Sequence, residues 1–321
     1  MTNQRKSIGG YFELELSQGA EYHGKALALN TGRNALEYIL RVRGYKRVYL
    51  PYYSCEVLLE PFKKLGVDYT FYHINDNLEA DFHESLSPDE AVLYINYFGL
   101  KQSHVEALAQ CYGKQLIVDN TQAFFAQPID GIDTFYSCRK FFGVPDGAYL
   151  YCNQKLDADF EQDHSWERMT HLLKRIDISP EDAYADFRKE DEILKDSPIK
   201  TMSPLTHRIM ASINYCGVAE KRRQNYLLLE EAFGNKNVIS LSLSEDAVPM
   251  VYPLLSTDVQ LRQHLIGNKV YVATYWPNVM VWVNSTNIEY TLASQLVPLS
   301  IDQRYDKEEM NTIIKVIAEW I

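Results

Sequence analysis

Two periods alternate along the first half of the chain. Residues 33–43 (RNALEYILRVR) put Ala35, Leu36, Ile39 and Leu40 on one face at helical spacing, and Gly44 supplies a stop. Short β-branched or aromatic runs come next at 48–50, 67–72, 91–96, 115–118, 132–136 and 148–152, with helical stretches at 54–65 and 103–112 between them. Strands alternating with helices predict an α/β fold whose central sheet is mostly parallel and covered by helices on both faces. Beyond residue 155 the pattern turns charged and helical over 156–175 and 181–195, separated at Ser179-Pro180. A long helix over 205–233 then leads to strands at 238–243, 248–255 and 269–274 and a terminal helix at 307–320. The expected organisation is a large domain over 1–215 and a smaller C-terminal α/β domain over 216–321, with no internal repeat.

Composition narrows the function classes. The 321 residues are 46% hydrophobic and 23% charged, which suits a chain folded throughout. A net charge of -11 would repel a phosphate-rich polymer, so nucleic acid is not an expected partner. Cys55, Cys111, Cys138, Cys152 and Cys216 are odd in number and scattered, and form no CxxC pair; the histidines have no metal-ligand spacing. A reducing compartment and no metal site are expected. The start, MTNQRKSIGGYFELEL, lacks an apolar core of signal-peptide length, and no run reaches the ~18 apolar residues of a membrane span. The expectation is a soluble, cytoplasmic protein without membrane association.

Ligands of open α/β sheets sit beyond the carboxyl ends of the strands, and four such places carry suitable residues. Asn30-Thr31-Gly32-Arg33 opens the first helix, where unpaired backbone N–H groups and a glycine suit a phosphate; Asn30 or Thr31 can equally be an ordinary cap. Asp119, with Gln122 three residues on, ends the run Leu116-Ile117-Val118; a carboxylate there needs a cation, such as a protonated pyridine nitrogen, unless it only caps a helix. Ser137-Cys138-Arg139-Lys140 comes directly after the strand at 132–136. A lysine amine is nucleophilic only when deprotonated, which burial beside another cation favours, whereas Arg139 and Lys140 could also be a solvent-facing pair. Pro51-Tyr52-Tyr53-Ser54 offers a ring to stack on a planar cofactor, or to fill the core.

The order of these features, a helix-start glycine, an aromatic strand end, D-x-x-Q and S-x-x-K, is that of fold-type-I enzymes using pyridoxal 5'-phosphate (PLP). LNTGRNAL, VYLPYYSC, LIVDNTQAFFA, Tyr97-Phe98-Gly99 and LVPLSIDQRY together resemble the DegT/DnrJ/StrS sugar aminotransferases, most strongly over residues 27–151. The interval from Ser137 to Lys140 is shorter than is usual in that family, and Asp146-Gly147-Ala148 stands where a double glycine is common. The resemblance implies the fold-type-I PLP-dependent transferase fold. It places Gly32, Arg33 and Ser137 at the phosphate, Asp119 at the pyridine nitrogen, Gln122 near the ring oxygen and Tyr53 on the ring face. Tyr52 and Cys55 are the alternatives to Tyr53, and Lys140 is the lysine that carries PLP as a Schiff base. The catalytic pair would be Lys140 and Asp119.

The function so implied is transfer of an amino group from an amino-acid donor to a keto-sugar, nucleotide-linked or not, or to a similar carbonyl acceptor. The alternatives are a PLP lyase or desulfurase acting on an amino acid, and a non-catalytic regulator that keeps the fold. A nicotinamide dehydrogenase is disfavoured because the chain has neither GxGxxG nor a Walker-type loop. Sites of this fold type form between two subunits, so the resemblance also implies a homodimer. Arg208 and Asn225, on the long helix, are candidates to reach the partner's cofactor, or else solvated positions.

Overall fold

The computed structural model describes residues 8–320; Met1–Ser7, on which part of the leader expectation falls, lie outside the described residues. The first half runs β1 (Leu27–Leu29), α1 (Gly32–Arg43), β2 (Arg47–Pro51), α2 (Glu60–Leu65), β3 (Asp68–Ile74), β4 (Ala80–Asp81), β5 (Glu90–Ile95), α3 (Gln102–Tyr112), β6 (Leu116–Asp119), β7 (Asp133–Ser137) and β8 (Ala148–Tyr151). Next come the helices α4 (Thr170–Asp177), α5 (Pro180–Ile193), α6 (Pro204–Ala211) and α7 (Tyr215–Phe233). The chain ends with β9 (Val251–Leu255), α8 (Leu261–Gly267), α9 (Val279–Trp282), α10 (Ile288–Gln295), β10 (Leu296–Ser300) and α11 (Lys307–Ala318).

Eight strands form one sheet in the order β1-β8-β7-β6-β5-β2-β3-β4. The five from β7 to β3 are parallel, as the alternating pattern predicts, and β1, β8 and β4 pair antiparallel at the edges. The connection from β7 to β8 contains only one short turn and no crossover helix, so β8 can only return antiparallel. Val92, Leu93 and Tyr94 of β5 and Leu116 and Ile117 of β6 are completely buried, which is why these strands are apolar on both faces. The first helix starts with Thr31 Oγ1 accepting from the Asn34 N–H and stops at Gly44, whose φ of 66° suits glycine.

The second half departs from the pattern in four places. Residues 156–165 are not helical; only 166–168 and α4 coil within the expected 156–175 segment. The long helix breaks between Ala211 and Tyr215, where the Asn214 side chain accepts from the Gly217 N–H and begins a new helix. No strand forms at 238–243 or 269–274: Val238 is largely exposed and Lys269 adopts a positive φ of 61°. The partner of β9 is instead β10, with Pro253 opposite Pro298. β9 falls within the expected strand at 248–255, whereas Pro298 hides β10 from a strand pattern; proline is tolerated in both because a two-stranded ribbon has only edges. Tyr226, Leu229 and Phe233 of α7, Tyr252 and Leu254 of β9, and Met310, Ile313 and Ile317 of α11 form a second hydrophobic cluster. Val279, Leu292 and Leu296 join the first. No helix among the described residues is long and apolar enough to cross a membrane.

Gly147, which leads into β8, has φ +113°, and a Cβ there would lie 3.0 Å from both Cys138 Sγ and Thr206 Cγ2. Gly147→Ala is therefore expected to destabilise the fold by about 1–3 kcal/mol, read as a lower thermal midpoint. Gly267→Ala, in open space at the end of α8, is the control expected to leave the midpoint nearly unchanged; equal midpoints for the two variants would contradict the packing described.

Candidate functional site

Asp119 is the last residue of β6 and 5% exposed. Its Oδ1 accepts from the Thr121 N–H at 2.8 Å. Burial lifts its pKa to about 6, against the pull of the Thr121 hydrogen bonds and the Lys140 ammonium. Lys140 closes the short turn Cys138–Lys140 that directly succeeds β7, the parallel neighbour of β6, and its side chain is exposed. A buried acid and an accessible amine thus stand at the carboxyl ends of adjacent strands. Gly32 opens α1 beside them: a Cβ there would meet Thr121 Cγ2 at 3.4 Å and the Phe135 ring at 3.9 Å. The Ser137 hydroxyl does not cap the turn it precedes. Asp119, Lys140, Gly32 and Ser137 are therefore gathered by neighbouring strand ends and one helix start.

The other expected site residues sit differently. Arg33 donates from Nη1 to both carboxylate oxygens of Glu60 at 3.1 Å, so its charge is matched within the chain. Gln122 is buried and its Oε1 accepts from the Phe98 N–H at 3.0 Å, supporting a residue whose φ is +57°. Tyr53 is completely buried, with its ring 5.6 Å from Tyr97 and 5.0 Å from Trp276 and its hydroxyl unpartnered among the described residues. Tyr52 stacks on Phe71 at 4.8 Å. Of that loop's three alternatives, Cys55 is the one influenced by Lys140: burial raises the thiol's pKa, and the Val57 backbone and the Lys140 charge oppose the rise. Arg139 is turned toward Asp191 and Glu190 of α5. Arg208 pairs with Glu13, and Asn225 is buried with Nδ2 on the Ile301 and Tyr305 carbonyls, which removes Asn225 as a group reaching toward a partner.

Several supports left no trace in the sequence pattern. The Asp146 carboxylate, fully buried, accepts from the Ser203 N–H and Oγ and from the Thr206 hydroxyl, fastening the segment after Lys140 to the start of α6. Asn30 takes no part in capping; it bonds Pro198 and Lys200, while its carbonyl accepts from the Gly147 N–H at 2.6 Å. Phe124, Phe142 and Tyr215 pack edge-on and stacked beneath the Lys140 turn. A surface depression of about 960 Å³ lies between α7 and α11 and is lined by none of these residues except Asn225. Among the described residues no group of three or more His, Cys, Asp or Glu could hold a metal.

No protein-family model matches the chain, and no curated protein matches it by sequence. Solved structures do match in fold. The sugar aminotransferase CalS13 from Micromonospora echinospora superposes with a TM-score of 0.62 at 12% identity, over 92% of this chain and 88% of that one. The PLP form of Spr1654 from Streptococcus pneumoniae, a sugar aminotransferase by description, gives 0.63 at 14% identity, over 93% and 89%. A point mutant of the GDP-4-keto-6-deoxymannose-3-dehydratase ColD, with bound GDP-perosamine, gives 0.62 at 11% identity, over 91% and 88%. The chain has the fold these proteins share.

The raised pKa of Asp119 makes the stability of the folded chain depend on pH. The folded state holds the proton at about 6, against ~3.9 for an unfolded aspartate. The stability this confers is complete below about pH 4 and is lost as pH rises through 6, a loss of order 3 kcal/mol. Asp119→Asn should abolish that dependence, so that the wild-type minus variant difference, read by urea unfolding from pH 4 to 8, falls with pH. A difference constant with pH would refute it.

Proposed function

We propose that this chain is a PLP-dependent aminotransferase of the DegT/DnrJ/StrS kind, transferring an amino group from an amino acid to a keto-sugar, nucleotide-linked or not. The observation that carries the reading is a buried carboxylate, Asp119, at a strand end with the Lys140 amine near enough to act on it. The residues fit the cofactor. The unneutralised acid calls for a cation such as a pyridinium nitrogen, and the glycine at the start of α1, with the Ser137 hydroxyl, suits a phosphate.

When bound, PLP would supply the electron-withdrawing ring that stabilises negative charge at the substrate carbon. Asp119 would hold the ring nitrogen protonated. The Lys140 amine would anchor the cofactor and, once released, carry a proton between substrate and cofactor carbons. Gln122, whose Oε1 serves Phe98, would offer its amide N–H to the ring oxygen. The burial of Tyr53 against Tyr97 and Trp276 and the field of Lys140 on Cys55 favour Cys55 for the ring face, and the pairing of Arg33 with Glu60 leaves the phosphate chiefly to Gly32 and Ser137. We place the small domain at 216–321 and the protein in the cytoplasm as a homodimer. Ile176 (82% exposed), Trp166 (70%) and Tyr184 (60%), around α4 and α5, support an interface there.

Incubated with PLP, glutamate and a keto-sugar, the wild type should yield 2-oxoglutarate and an amino-sugar. Lys140→Ala should lower that rate by about 100-fold or more. Undiminished transfer by the variant, or ammonia release with no need for an acceptor, would overturn the proposal; the latter would mark a lyase.

A further inference from the structure

Arg222, on α7, is 1% exposed, and no described carboxylate lies within ion-pair distance of it. Burial pulls its pKa down to about 10, with Asp302 the main opposing charge. Its donors go to Gln303 Oε1 (3.1 Å), the Pro249 and Met250 carbonyls (3.3 and 2.9 Å) and the Phe141 carbonyl (3.4 Å). The guanidinium also lies 4.5 Å from the centre of the Phe141 ring. Gln303 Nε2 donates to the same Phe141 carbonyl at 2.8 Å. One oxygen, on the residue after Lys140, therefore receives donors from α7 and from the segment after β10.

Burying an unpaired cation is costly, and an apolar side chain of similar length would pack as well at less cost. What only a guanidinium does here is reach several carbonyls at fixed angles. We propose that Arg222, with Gln303, is the positioning device of Lys140. By fixing the Phe141 carbonyl it sets the turn Cys138–Lys140 and so the direction of the lysine amine. Because its other donors hold Pro249 and Met250, just before β9, the β9–β10 unit and the lysine turn are held as one body. The inference rests on the reading of Lys140 as the PLP anchor, and it concerns a residue acting through another.

The test uses Arg222→Met, Arg222→Lys and Gln303→Leu in the full chain, with two readouts. In cofactor-free protein, amide hydrogen exchange at 138–142 should be roughly tenfold faster in Arg222→Met, with β6 unchanged. With PLP added, Arg222→Met should bind roughly tenfold more weakly. The visible absorbance of its adduct should titrate at higher pH by about half a unit, because the buried positive charge on the Phe141 carbonyl, next in sequence to Lys140, has been removed. Gln303→Leu should shift exchange and affinity the same way by less, and Arg222→Lys should recover the titration but not the exchange. The proposal is overturned if Arg222→Met and Gln303→Leu show wild-type exchange, affinity and titration with only a lower thermal midpoint. Should Arg222→Met not fold, Gln303→Leu decides alone. A wild type that forms no adduct while the exchange still responds would sink the PLP reading and leave the positioning device standing.

Discussion

A carboxylate inside a protein stays ionised only where positive charge or hydrogen-bond donors replace the water it has lost. Asp119 meets that condition in part: hydrogen bonding from Thr121 and the field of Lys140 act on it, yet burial still holds its pKa near 6. The end of β6 is thus a position that the folded chain leaves electrostatically unfinished. A cationic ring nitrogen would complete it, and in doing so would turn a destabilising group into a binding one. On the proposed reading, the same feature that costs stability at neutral pH would select the ligand.

The surroundings of Lys140 carry the opposite character. Its turn is fastened from below by Phe124, Phe142 and Tyr215, from the side by Asp146 on Ser203 and Thr206, and from the C-terminal segment by Arg222 and Gln303 on the Phe141 carbonyl. The amine itself is left exposed. A held backbone under an exposed side chain is what the proposed covalent anchor would need, since the lysine would have to leave the cofactor and return to the same place. Neither the sugar aminotransferase CalS13 nor the dehydratase ColD exceeds 12% identity to this chain, so the shared fold alone does not choose between their chemistries. On the proposed reading that choice would rest on Lys140.

Strands buried on both faces announce themselves, and β2, β5, β6 and β7 were legible for that reason, as were the polar residues that end them. Asp119, Lys140, Gly32 and Ser137 could be singled out because strand-end chemistry is local. The loop beyond Pro51 was not legible: once the strand ends, its two-residue parity no longer tells which of Tyr52, Tyr53 and Cys55 faces the sheet's mouth. Pairing of Arg33 with Glu60, or of Arg222 with the Phe141 carbonyl, joins residues distant in sequence and leaves no periodic mark. In the second half, β9 was legible within 248–255, but Pro298 concealed β10, and a single asparagine at 214 divided a helix whose apolar spacing ran straight through it.

On the proposed reading, the amine of Lys140 is the one that would meet the cofactor's aldehyde. Mixing the purified protein with PLP, reducing with borohydride and mapping the labelled peptide tests it most directly. The expected result is a single pyridoxyl-modified peptide containing Lys140, its visible absorbance lost on reduction. A label on any other lysine, or no label under conditions where the protein is folded, would contradict it.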